Sequence, residues 1–176
     1  MLRKLTLKLI KRFIQPIITR AAMRQPDLLI GENYLARWWL IKNVRDQDTD
    51  THFDLKHYHR RSNWVNCYLH CVTSNDDDRA LHDHPWLNIS IIISGTYREV
   101  LADRTRLRKP GGIVFRLGGT AHRLEVVEGP VWSLFITGPK YREWGFRCPN
   151  GFKHWKEYTD YYGSGDSTKI GRGCSE

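Results

Sequence analysis

From Tyr34 onward the chain consists of short apolar runs, each soon broken by a cluster of Gly, Pro or Asp. That punctuation reads as strands over 34–41, 64–72, 88–94, 96–101, 112–116, 122–127 and 131–137. The breaks fall at 46–50, 74–79, 94–95, 109–112, 117–120 and 128–130. Short strands at such close spacing predict a mainly β domain, an antiparallel sandwich or barrel. No self-similar period appears, which argues against a solenoid or propeller. The 176 residues suffice for one domain whose core needs no disulfide staples. With 40% hydrophobic and 27% charged residues, the composition excludes a disordered or fibrous chain. No uninterrupted apolar run is long enough for a helix to span a bilayer.

The net charge of +9 is unevenly placed. Residues 1–24 hold seven bases (Arg3, Lys4, Lys8, Lys11, Arg12, Arg20, Arg24) and no acid, which leaves +2 on the other 152 residues. The basic character therefore belongs to an N-terminal arm, and the remainder offers no broad nucleic-acid footprint. Within the arm, Leu2, Leu5, Leu9, Phe13 and Ile17 recur at helical spacing among the lysines and arginines, so 1–18 reads as an amphipathic helix. Pro16 is expected to kink or end it. Such a helix packs on its own domain or on a second copy, or docks on a membrane surface or an acidic partner. No apolar core with a small-residue cleavage site follows it, which argues against a targeting peptide. The expected organisation is a basic arm over 1–30, a β-barrel domain over 31–160 and a flexible tail over 161–176, rich in Gly and Ser. Cys67, Cys71, Cys148 and Cys174 form no CxxC pair and no scaffold framework, so reduced thiols and a cytoplasmic setting are expected, membrane-peripheral if the arm docks on lipid.

The chemistry concentrates in Leu81-His82-Asp83-His84-Pro85-Trp86-Leu87-Asn88, which runs on to Gly95. On extended backbone His82 and His84 point to one face, because side chains alternate with period two. Two such imidazoles can converge on one ion, given further ligands from elsewhere. The glycine-rich stretch from Gly111 to Gly119 opens a strand that begins at His122, a candidate third imidazole. A structural turn with both histidines bonded to backbone is the competing reading of the same string.

The spacing resembles that of the cupin superfamily (RmlC-like). Its first motif, G-x5-H-x-H-x3,4-E-x6-G, is met by His82-x-His84-x3-Asn88-x6-Gly95, with Asn88 replacing the acid and Asp76 the leading Gly. Its second, G-x5-P-x-G-x2-H-x3-N, is met by Gly111-x5-Leu117-x-Gly119-x2-His122-x3-Val126, with Leu for Pro and Val for Asn. The resemblance covers about 64–137. It implies a double-stranded β-helix (jelly-roll) barrel, carrying the amphipathic helix at its N-terminus, whose mouth holds one divalent metal on His82, His84 and His122. Fe(II) is the favoured ion, with Mn, Ni or Zn as alternatives. Replacement of the acid by Asn88 removes a negative ligand, and Asn88 then serves as a weak neutral ligand, a partner behind the ligands or a pocket wall. Thiol dioxygenases provide the analogy of a three-histidine Fe(II) site, without implying a thiol substrate here.

Other residues carry weaker signals. Trp64, Asn66, Tyr68 and His70 share one face of their strand by alternation, and Val65, Cys67, Leu69 and Cys71 the other. Tyr68 and His70 are candidate pocket contacts, His70 equally a satisfied core histidine. Arg98 and Arg116 are candidates for holding an acidic substrate, or else solvated surface groups. His52, His57 and His59 cluster in a polar stretch, and 76–79 reads as a turn cap or a weak cation loop. The aromatic block with Trp144, Phe146, Phe152 and Trp155 reads as a lid sealing one end of the barrel, although such residues also stack on bases or sugars. Cys148 and His154 lack companions for a second metal site.

Phosphate-cradling, dinucleotide and serine-elbow motifs are absent from the sequence. The leading expectation is a metal-binding cupin, as an enzyme an Fe(II)-dependent dioxygenase of an unknown small molecule. The alternative is a metal-independent or metal-structural cupin acting as a sugar-type isomerase, epimerase or small-molecule sensor. A third is a scaffold docking through its basic helix. Cupins commonly pair, which makes a homodimer an expected partner state.

Overall fold

The structure is a computed structural model and describes residues 7–31, 34–41, 65–76 and 80–174. The fold is mainly β, a curled antiparallel sheet with a short N-terminal helix. Its centre is a pair of long strands, β5 (Asn88–Leu101) and β8 (His122–Thr137), that lie antiparallel along their length. Sequence punctuation divides each of these into two, because Ser94-Gly95 and 128–130 look like ends. In the fold they mark a crease. Gly95 has φ +72°, and a Cβ there would stand 2.6 Å from the Pro130 carbonyl oxygen and 2.8 Å from that of Glu128. Only glycine lets the two strands bend together at that point.

One side of β8 pairs along its whole length with β5. The other side pairs through its C-terminal half with β3 (Asn66–Val72) and through His122 with β4 (Leu81–His82). β2 (Leu35–Ile41) and β1 (Leu28–Ile30) extend the sheet beyond β3, and β9 (Gly145–Cys148) and β10 (Gly151–His154) extend it beyond β4. β6 (Thr105–Arg108) and β7 (Ile113–Arg116) pair with β5. β1, β4, β6, β9 and β10, absent from the sequence reading, hold two to four residues each, too few for an alternation to stand out.

Two cores flank the sheet. Leu35, Val72, Ile92, Tyr97 and Val131 fill one end of the interior. Trp38, Leu69, Cys71 and Ile93 lie on the outer face, where Ile18 and Ala21 of helix α1 (Gln15–Ala22) cover them. The N-terminal helix thus packs on its own domain. Pro16 does not end it: helical backbone runs without a break from residue 7 to Ala22, and the stretch just before the proline, Ile10–Ile14, is π-helical.

The C-terminal segment corrects two expectations. Instead of a flexible tail, β12 (Asp166–Ile170) pairs with β11 (Thr159–Asp160), and Gly31 N–H donates to the Thr168 carbonyl. Cys148 and Cys174 form a disulfide, whereas Cys67 and Cys71 are free thiols. The reduced-thiol argument for a cytoplasmic setting therefore does not extend to the first pair. Four spaced cysteines cannot reveal a bridge that depends on a late hairpin folding back. No helix among the described residues is long and apolar enough to cross a membrane.

Candidate metal centre

The register brings the three histidines together. His82 on β4 lies directly opposite His122 at the start of β8. Alternation carries His84 to the same side as His82, and the three rings lie 5.0–5.2 Å apart between centroids. One ligand nitrogen from each falls within 4.8 Å of the others. His84 Nε2 and His122 Nε2 are 2.9 Å apart, close enough for one ion with bonds of ~2.0–2.1 Å to touch both.

The residue between the pair fixes their direction. Asp83 is fully buried and points away from the rings, accepting from the Gly145 N–H at 2.9 Å and pairing with Arg142 and Arg147 at 2.9 and 3.1 Å. The histidine turn also meets the glycine turn before β8. His84 N–H donates to the Gly118 carbonyl at 2.8 Å, and a Cβ on Gly118 would lie 2.7 Å from the His84 carbonyl oxygen. Gly119, the glycine aligned with the motif, has open space where a Cβ would stand. The steric demand therefore falls one residue earlier than the motif places it.

Behind His122 stands Glu99 of β5, wholly buried. His122 Nδ1 and Glu99 Oε1 are 3.0 Å apart, a contact that leaves Nε2 facing the other two rings. Arg116 donates through Nε to the same carboxylate, and Arg108 donates at 2.7 Å. Burial pushes the Glu99 carboxyl up, but His122 and Arg116 outweigh it and hold it well below the usual range, so it stays ionised. Burial, with the charges of Arg116 and His82, lowers His122 to about 4 against partial support from Glu99. Burial, then His122 and His82, lowers His84 as well. Both imidazoles are neutral at pH 7, the state a metal ligand needs. His82 leans on Asp76 at 3.8 Å and on Phe146, whose ring lies 6.0 Å away.

The remaining candidates separate cleanly. Arg116 is 4% exposed and points inward, where it bonds Glu99, Ser90, Tyr97 and the Asn88 side chain, so the surface-solvation reading of it is overturned. Asn88 is buried too, and its Oδ1 accepts from Arg116 at 3.3 Å. Arg98 points outward, half exposed, paired with Glu125 at 3.0 Å, which removes it from the pocket. Tyr68 and His70 face the interior. His70 accepts from Arg37 Nε at 2.9 Å and stacks 4.8 Å from Phe135, whose ring lies 6.0 Å from His84. Of the aromatic block, Trp144, Phe146 and Trp155 form a cluster with Tyr158, while Phe152 is exposed beneath Arg147. Cys148 is committed to its disulfide, and His154 bonds Glu143 at 3.1 Å. Trp64, His52, His57, His59 and residues 77–79 lie outside the described residues.

Glu99 is the residue that sequence reasoning missed. In 96–101 each face carries one charged side chain, Arg98 on one and Glu99 on the other, so alternation cannot say which is buried. The one available signal is that Glu99 shares its face with Tyr97 and Leu101.

No protein-family model matches the chain, and no curated protein matches it in sequence. Among solved structures it is similar to KdgF from Halomonas sp., at 12% identity over 64% of this chain and 87% of that one, with a TM-score of 0.46. It is similar to a cupin superfamily protein from Desulfitobacterium hafniense, at 13% identity over 64% and 84%, with a TM-score of 0.44. It is also similar to the DMSP lyase DddQ from Ruegeria pomeroyi, at 18% identity over 70% and 60%, with a TM-score of 0.49. These are partial overlaps of backbone, and the fold assignment rests on the strand pairing above.

Proposed function

We propose that His82, His84 and His122 hold one divalent metal ion and that the chain is a cupin-type metalloenzyme for a small molecule. The observation that carries this reading is the convergence of three imidazoles, with Nδ1 of His122 held by a buried carboxylate. The donor set fits such an ion: His122 is buried and His84 half-buried, both rings are neutral, and all three donors are imidazoles. The acid missing at Asn88 has a counterpart behind His122, since Glu99 delivers its charge through the ring instead of directly. Three nitrogen donors suit Fe(II), and Zn, Ni or Mn less closely resemble the analogy on which an oxygen-dependent reaction rests. When bound, Fe(II) would supply the redox chemistry with dioxygen that imidazoles alone lack. The chain's own part is to orient the rings through Asp83 and Glu99, and to offer Tyr68, His70 and Phe135 as walls for a substrate.

The test is elemental analysis of the purified protein beside His82→Ala and His122→Ala, with no metal added. Near-stoichiometric Fe, Mn, Ni or Zn in the wild type, lost in both folded variants, supports the site and names the ion. Full metal content in the variants, or a folded wild type that binds none of these ions on titration, overturns it.

A further inference from the structure

The N-terminal helix presents two apolar stripes, and the sheet covers only one. Ile14, Ile18 and Ala21 pack on Trp38, Leu69, Cys71 and Ile93. The next stripe, Leu9, Phe13 and Ile17, recurs every four residues and is 48%, 58% and 40% exposed, with Met23 at 84% beyond it. Lys8, Arg12 and Arg20 are exposed beside it, and the Arg12 guanidinium lies 5.3 Å over the Phe13 ring. The segment 1–24 holds seven bases and no acid, against +2 on all the rest.

We propose that this stripe docks on the surface of an anionic bilayer, with Leu9, Phe13 and Ile17 entering the headgroup boundary and the basic side chains meeting lipid phosphates. The occupant must satisfy apolar rings and a dense positive charge at once. A second copy of this chain does not. A two-fold interface sets a patch against itself, and this patch would bring Lys8, Arg12 and Arg20 of one copy against the same three bases of the other. A lipid surface supplies acyl chains and negative charge in one plane, which is the arrangement interfacial helices use. The covered stripe adds the mechanical requirement: the helix is already folded and fixed to the domain, so docking orders nothing further and holds the barrel at the membrane.

The experiment is co-sedimentation of the full chain with vesicles of phosphatidylcholine alone, or of phosphatidylcholine mixed with phosphatidylglycerol. Two variants accompany it, Phe13→Ser with Ile17→Ser, and Lys8→Glu with Arg12→Glu. Their circular dichroism and metal content serve as controls for folding. The wild type should bind only the mixed vesicles, and each variant should lose about tenfold in partition. High salt should weaken wild-type binding. Binding that ignores lipid charge, or that both variants retain in full, overturns the proposal. So does absence of binding to either vesicle. A wild-type dimer in solution that Phe13→Ser with Ile17→Ser dissolves would assign the stripe to a second copy instead.

Discussion

Two carboxylates, Asp83 and Glu99, are both wholly buried and both pair with two arginines, yet they act in different ways. Asp83 lies between two candidate ligands in sequence but faces away from their rings and grips a backbone N–H of β9. Glu99 lies fifteen positions from His84, the nearest candidate ligand in the first motif, yet it contacts the ring of His122 through Oε1. Proximity in sequence gives a group that sets the shape of a turn. Proximity across the sheet gives one that touches the ring of a candidate ligand.

The largest expected effect tests the clasp. Asp83→Ala leaves the buried Gly145 N–H without its acceptor and the part-exposed Arg142 and Arg147 without their partner, and should lower unfolding free energy by about 2–3 kcal/mol. Denaturation in urea measures it, and a change below about 1 kcal/mol would make Asp83 a surface-like ion pair. Acid should strike the histidine side next. With metal chelated, the unfolded chain takes up protons near pH 6.5, whereas His122 resists until about pH 4. Stability is therefore present above pH 6.5 and drains as pH falls towards 4, by up to about 3 kcal/mol for this residue. His70 and His84 shift in the same direction. Urea midpoints that stay level between pH 7 and 4.5 would contradict the burial of these rings.

Glu99→Gln sharpens the contrast. Loss of the carboxylate behind His122 should weaken metal binding about 10- to 100-fold, read by competition with a chelator. If it costs stability as Asp83→Ala does but leaves metal affinity unchanged, the two carboxylates are the same kind of clasp. The smallest effect concerns neighbouring glycines. Gly118→Ala crowds the His84 carbonyl and should cost on the order of 1 kcal/mol or more, while Gly119→Ala should stay within about 0.5 kcal/mol. Thermal denaturation distinguishes them, and equal losses would place the steric demand elsewhere.

The sheet and the histidine trio were legible because both rest on simple rules: turn residues end apolar runs, and period two aligns His82 with His84. His122 was found through motif spacing. Arg116 was harder to place, because β7 shows a reversal: its apolar Ile113 and Phe115 are exposed while Arg116 is inside beside Val114. That reversal follows from an interior that needs a cation beside Glu99, which no local pattern states. Arg98 and Glu99 are adjacent and of opposite charge, so only the pairing with β8 decides between them. The disulfide and β12 depend on contacts between distant segments, beyond the reach of local propensity.

The Cys148–Cys174 bridge joins β9, the neighbour of β4, to the last described residues of the chain. A protease that cut anywhere between 149 and 173 would nick the chain without releasing the piece behind the cut. The fragment would remain tethered beside the strand that carries His82, and only a reductant added after cleavage would free it.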